Sequence, residues 1–222
     1  MARQLSFDLP VRSALGREDF FVSPSNAAAV AMIELWPNWP SGKLLLSGPV
    51  GSGKTHLAHV WSNTSGATLI DAQDLPAADI PTLARTSVAV ENAERIAGDA
   101  VHEDALFHLH NLILAEGQSL LITARMPAAR WGLALPDLAS RMQGTTQADL
   151  TTPDDALLSA VLMKLMADRQ LSPAPQLIPY LVRRIDRSFA AAQSIVARLD
   201  DEALARNVPI TRALAADLLD RG

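Results

Sequence analysis

The 222-residue chain is 49% hydrophobic and 19% charged, enough apolar mass for a sizeable core, which excludes wholesale disorder. A net charge of −5 and a pI near 5.5 exclude a strongly cationic nucleic-acid-binding surface as the default and leave only a local basic patch open. Cysteine is absent, which removes disulfides, thiol catalysis and cysteine metal sites and suits a cytoplasmic protein; no signal segment follows Met1, and no apolar run nears the ~18 residues that span a membrane.

Met1 to Pro10 reads as a separate short segment, in which Leu5, Phe7 and Leu9 alternate with polar neighbours. Arg12 to Asp19 reads as a loop. Ser25 and Asn26 then precede an alanine-rich stretch to Leu35, the pattern of a capped helix. Lys43 to Ser47 is a short apolar run between turn residues, which predicts a buried strand. Ala67 to Asp71, Ser87 to Glu91 and Ser119 to Thr123 repeat the pattern, and a fifth strand is expected near Thr146 to Leu150. Helical patterns run from Lys54 to Asn63 and from Ala100 to Glu116, with Gly117 as a stop. Strands alternating with helices predict an α/β domain with a largely parallel sheet.

After Leu150 the strand pattern ends. Thr152-Pro153-Asp154-Asp155 reads as a helix start with Thr152 as cap and Pro153 at the first position. Helical patterns continue to Asp168, then over Ala174 to Arg184, Ser188 to Arg206 and Thr211 to Leu219. The expected organisation is a short peptide over 1–12, an α/β unit over 13–150 and a helical unit over 151–222.

The clearest chemical signal is Gly48-Pro49-Val50-Gly51-Ser52-Gly53-Lys54-Thr55, which fits G-x-x-x-x-G-K-[ST] between an apolar strand and a helix. Glycines let backbone N–H groups turn toward phosphate oxygens, Lys54 neutralises β- and γ-phosphate charge, and Thr55 can ligate Mg²⁺ at a favourable helix N-terminus. Binding of ATP or ADP follows. His56 extends the motif.

Hydrolysis needs more. Glu91 closes the Val88-Ala89-Val90-Glu91 strand where an acid can help hold Mg²⁺, or it merely ends a strand. Asn92 stands where many related ATPases carry the acid that activates water, and a neutral amide cannot accept that proton. Slow intrinsic turnover is expected. Thr123 ends the next strand, either facing the γ-phosphate or the attacking water, or capping local backbone. Arg141 is either a surface ion-pair residue or an arginine offered to another molecule's nucleotide. His108 and His110 are spaced i,i+2 and do not share a helix face, so a structural metal site is not expected. Trp36, Trp39, Trp61 and Trp131 are too scattered for a nucleic-acid stacking platform and read as packing residues.

Taken together, the phosphate loop, Val-Ala-Val-Glu-Asn with the following Ile96-Ala97-Gly98-Asp99, the run Leu120-Leu121-Ile122-Thr123, the Leu135 to Arg141 segment and Gln4 to Leu9 resemble the Hda family, relatives of the bacterial replication initiator DnaA that contain only its AAA+ portion. The likeness covers nearly the whole chain. It implies an AAA+ P-loop fold, a five-stranded parallel sheet with a C-terminal helical lid. It also implies a regulator that binds the sliding clamp, reaches DNA only through that clamp, and stimulates hydrolysis of DnaA-bound ATP to prevent re-initiation.

By this resemblance Gln4, Leu5, Ser6, Phe7, Asp8 and Leu9 form a clamp-binding peptide, which on their own pattern would read as a frayed tail or an edge strand. Phe21, Val22 and Asn26 line the adenine side, and Arg141 is an arginine finger acting in trans. Glu91 replaces the family's aspartate. Ala190, in Asp186-Arg187-Ser188-Phe189-Ala190, stands at the sensor arginine's place, with Arg187 nearby. The chain carries no basic helix-turn-helix domain after the lid, which argues against operator binding. Two other readings stay open: an adaptor that recruits a different replication or positioning factor, and a self-sufficient P-loop ATPase. Docking of the N-terminal peptide on a second copy, giving a homodimer, also stays open.

Overall fold

The computed structural model describes residues 21–220. The expected clamp-binding peptide, Gln4 to Leu9, and the loop expected over Arg12 to Asp19 lie outside the described residues.

Five strands form one parallel sheet: β1 (Lys43–Ser47), β2 (Thr68–Asp71), β3 (Val88–Glu91), β4 (Leu120–Ala124) and β5 (Gln147–Asp149), in the order β2-β3-β4-β1-β5. β1 and β4 pair from Lys43 with Leu120 to Ser47 with Ala124, and every residue of both is buried. Their continuous apolar runs are what a sheet covered on both faces requires.

Alternation along each strand builds two cores. Leu45, Val88, Val90, Leu120 and Ile122 face one side, where α4 (Ala100–Ala115) contributes Leu106, Leu109 and Ile113. Leu44, Leu46, Ala89 and Leu121 face the other, against α1 (Ala27–Glu34) and α2 (Lys54–Ser65). Trp61 anchors this second core. Trp39 stacks on it with centroids 5.0 Å apart, and Trp36 meets it edge-on at 6.3 Å. Three of the tryptophans, expected as packing residues, thus form one packed cluster, because the turn after α1 folds back over α2.

Side chains cap several of the helices, two of them differently from what the sequence predicts. Asp99 caps α4 by accepting from Val101 and His102 amides, and Ser188 caps α8 (Phe189–Arg206) by accepting from the Ala191 amide. Asn26, expected to cap α1, makes no cap bond. Its carboxamide points backward, accepting from Ser23 N at 2.8 Å and donating to Phe21 O at 2.9 Å. The cap of α6 (Asp155–Asp168) is Asp154, whose side chain accepts from Leu157 N at 2.8 Å; Thr152 and Pro153 precede it.

α6, α7 (Leu177–Val182), α8 and α9 (Arg212–Asp220) bury a separate core that includes Leu158, Leu162, Leu181, Ile195, Leu199 and Leu218. Two further short α-helices lie among the described residues: α3 (Ile80–Leu83), and α5 (Pro136–Gln143), which lies beside α4.

Candidate functional site

Gly48 to Thr55 leaves the C-terminal end of β1 and enters α2. The loop is tied to the sheet by its first residue, since Gly48 N donates to Ala124 O at 3.1 Å. Gly51 and Gly53 have φ of 78° and 99°, a backbone that side chains with a Cβ rarely adopt. Both also touch the helical unit. A Cβ on Gly51 would collide with Ser188, and one on Gly53 would stand 3.0 Å from the Phe189 ring. Phe189 N donates to Gly51 O at 3.3 Å, and the His56 ring stacks over Phe189 at 6.2 Å. The start of α8 therefore sits directly on the phosphate loop.

Lys54 is buried and folds back on that loop, donating to Gly48 O at 2.6 Å and Pro49 O at 2.8 Å. Burial lowers its pKa; Glu94 opposes this, Arg125 adds to it and Glu91 opposes it. Thr55 and His56 are exposed beside it. Ser52 Oγ and Glu91 Oε1 are buried with no hydrogen-bond partner. Buried oxygens of this kind require a partner, and a phosphate-bound Mg²⁺ with its waters supplies donors and positive charge for both. Glu91 thus fits such an ion. Among the described residues no cluster of three metal-ligating side chains exists, so a cation here would depend on the nucleotide's oxygens.

Asn92 follows Glu91 in the left-handed region at φ 57°. Its side chain donates to Asp71 Oδ2 at 2.7 Å, and its backbone N–H donates to Thr123 Oγ1 at 3.2 Å. The buried Thr123 hydroxyl thus satisfies local backbone and keeps its own proton to donate. On the other side of the loop, the Phe21 to Asn26 turn is joined to the sheet end by Thr151 N donating to Ser25 O at 3.1 Å. Val22 packs against the apolar cluster that includes Leu150, and the Leu150 carbonyl approaches Gly48. Asn26 is buried with its carboxamide engaged within the turn.

Arg141 is anchored at the opposite end of β1 from the phosphate loop. Its carbonyl accepts from Lys43 Nζ at 3.1 Å, and Lys43 begins β1 whereas the phosphate loop follows the strand's end. Four residue steps of strand separate these ends by about 13 Å. The Arg141 guanidinium is exposed, rests over the Phe107 ring at 5.1 Å and forms no ion pair among the described residues. Arg187 turns toward the helical unit, pairing with Asp155 at 2.5 Å, and Ala190 supplies no charge.

Two elements of this region carry no sequence motif. Glu103 is fully buried on α4 and accepts from Gly98, Ala134 and Leu135 amides at 2.7, 3.0 and 2.7 Å. Glu94 follows β3 with 8% of its side chain exposed and faces Arg125 at 3.4 Å. Only the i,i+5 spacing of Glu103 from the Gly98 turn hinted at the first.

No family model matches the chain. In sequence it is similar to the chromosomal replication initiator protein DnaA of Thermomicrobium roseum, 27% identical over 233 residues, which cover 92% of this chain. The chain spans about half the length of that relative, 49%. Its fold matches domain III of the Thermotoga maritima replication initiation protein DnaA with a TM-score of 0.78 at 17% identity, covering 92% of this chain and 95% of that one. It also matches a replication initiator DnaA bound to AMPPCP and single-stranded DNA, with a TM-score of 0.71 at 17% identity, covering 90% of this chain and 69% of that one. The parallel sheet, the phosphate loop after its β1 strand and the helical unit resting on that loop make this a DnaA-like AAA+ fold.

Proposed function

We propose that the chain is a DnaA-directed regulator of replication initiation, a cytoplasmic protein that binds ADP or ATP in its own site and acts on the nucleotide of another molecule through Arg141. The observation that carries this reading is the place of Arg141: exposed, free of ion pairs among the described residues, and anchored at the end of β1 away from the chain's own phosphate loop. A guanidinium so placed serves a nucleotide held by a partner. Similarity to DnaA supports a partner from the replication-initiation machinery.

In the chain's own site the Gly48 to Thr55 amides and Lys54 hold the phosphates, and Phe21, Val22 and Asn26 flank the base. Thr55 and Glu91 hold Mg²⁺, which supplies positive charge against the phosphates. Nucleotide bound under Ser188 and Phe189 fixes the angle between sheet and lid, which sets how the whole molecule presents Arg141. Gln4 to Leu9 tethers the protein to the sliding clamp on DNA.

The test follows ATP pre-bound to DnaA with this protein and DNA-loaded clamp. Acceleration that requires the clamp and is lost when residues 4–9 are replaced by Gly/Ser supports the reading. Unaltered hydrolysis with intact clamp binding rejects stimulation and leaves an adaptor.

A further inference from the structure

We propose that Glu94 is the carboxylate that accepts the proton of the attacking water in this chain's own nucleotide site, with Arg125 holding it in place. The inference rests on the nucleotide-binding reading above and adds a residue to it.

The position beside Glu91 is disqualified chemically and sterically. Asn92 is a neutral amide, its side chain is committed to Asp71 and its backbone N–H to Thr123. Asp71 is itself engaged locally, accepting from Asn92 at 2.7 Å and from Gln73 N at 3.0 Å and facing Arg95 at 4.0 Å.

Glu94 differs on each count. It lies on the helical turn Ala93–Ile96 that follows β3, with only 8% of its side chain exposed. Neither carboxylate oxygen has a hydrogen-bond partner, although Arg125 Nε lies 3.4 Å from Oε1. A carboxylate withdrawn from water with both oxygens unbonded is costly, and such orphans mark sites where a donor is missing. A water supplies that donor.

Its place points the same way. Ala124 O accepts the Gly48 amide, so Arg125 leaves the sheet at the foot of the phosphate loop and brings its partner Glu94 there. Among carboxylates, Glu94 acts on Lys54 more strongly than Glu91 does. Two buried acids therefore share the loop with separate tasks: Glu91 toward the cation, Glu94 toward water.

The step balances. The water oxygen bonds to the γ-phosphorus, and the bond from that phosphorus to the β–γ bridging oxygen breaks. Its electron pair leaves with ADP, and the water proton passes to Glu94 and then to solvent. Proton acceptance of this kind contributes about 10²–10⁴-fold to rate.

The experiment is single-turnover hydrolysis of radiolabelled ATP by excess full-length protein, with ATP affinity measured in parallel by equilibrium binding. Glu94→Gln is expected to slow hydrolysis about a hundredfold or more with affinity within about threefold of wild type. Glu94→Asp is expected to retain part of the rate, and Arg125→Ala to lose about tenfold; these two carry the test if Glu94→Gln fails to fold. Hydrolysis by Glu94→Gln at the wild-type rate with normal affinity overturns the proposal. So does a wild-type protein that binds ATP and never hydrolyses it, an outcome that leaves the nucleotide-binding reading intact. A folded wild-type protein that binds no ATP removes both.

Discussion

Lys43 and Arg141, 98 residues apart, are joined by a 3.1 Å hydrogen bond from the lysine ammonium to the arginine carbonyl. The first residue of β1 thereby grips the last turn of α5, while the arginine's guanidinium stays exposed over Phe107. Lys43 also lies 3.2 Å from His110 Nε2, inside the sheet–helix layer. The backbone beneath Arg141 is held from the core and its head group is left to solvent. That combination suits a residue offered to a partner in fixed orientation.

His110 makes this cluster pH-sensitive. Burial, the leading cause, with Lys43 and Arg141 adding to it, lowers its pKa to about 4 against a partial opposing bond to Asn111. The folded state therefore binds fewer protons than the unfolded state between pH 6.5 and 4, and stability falls as pH falls through that window. Urea titrations should show His110→Gln escaping up to about 3 kcal/mol of the acid loss seen in wild type between pH 7 and 4. Parallel curves for the two proteins would contradict the assignment.

Glu103 locks two loops onto α4. Burial opposes its charge, yet the amides of Ala134, Leu135 and Gly98 outweigh it and hold its pKa below the ordinary value. Glu103→Gln turns an amide donor against these donors and should cost about 2–4 kcal/mol. Thermal melts check this, and because Leu135 leads into α5, the variant should also weaken the stimulation proposed for Arg141.

The contact between Gly51 and Ser188 couples the phosphate loop to the lid. Gly51→Ala combines φ of 78° with a collision at Ser188, and should lower stability by about 1–3 kcal/mol. Ser188→Gly in the same chain removes the collision and should recover part of the loss. An unchanged melting temperature in Gly51→Ala would show that the lid does not rest on the loop in solution.

Much of the fold is legible in the chain. β1 and α8 fall where short apolar runs and a serine cap place them, because both depend on neighbouring residues alone. The phosphate loop is likewise local chemistry. What escapes is long-range. Asn26 turns its carboxamide backward because Ser23 and Phe21 offer nearer partners than the amides of α1. The cap of α6 shifts to Asp154, whose carboxylate is the one that reaches the Leu157 amide. Trp36, Trp39 and Trp61 look scattered until a turn brings them together. The partnerships of Glu94 with Arg125, of Lys43 with Arg141 and of Ser188 with Gly51 span 31, 98 and 137 positions, so no window of sequence contains them.

Lys54 separates the chain's own site from the action proposed for it on a partner. Removing its ammonium leaves the phosphate charge unneutralised beside Glu91 and Glu94. Lys54→Ala should weaken ATP and ADP binding by at least about tenfold, a loss of about 1.4 kcal/mol, read by fluorescent-nucleotide titration. Arg141→Ala in the same assay should bind as wild type does.

The central claim is that Arg141 acts on a nucleotide held by another molecule. Single-turnover hydrolysis of ATP pre-bound to DnaA, measured with DNA-loaded clamp and either wild-type protein or Arg141→Ala, tests it most directly. The account predicts that the variant binds nucleotide and clamp normally and loses about a hundredfold or more of the acceleration. Equal acceleration by Arg141→Ala and wild type would contradict it.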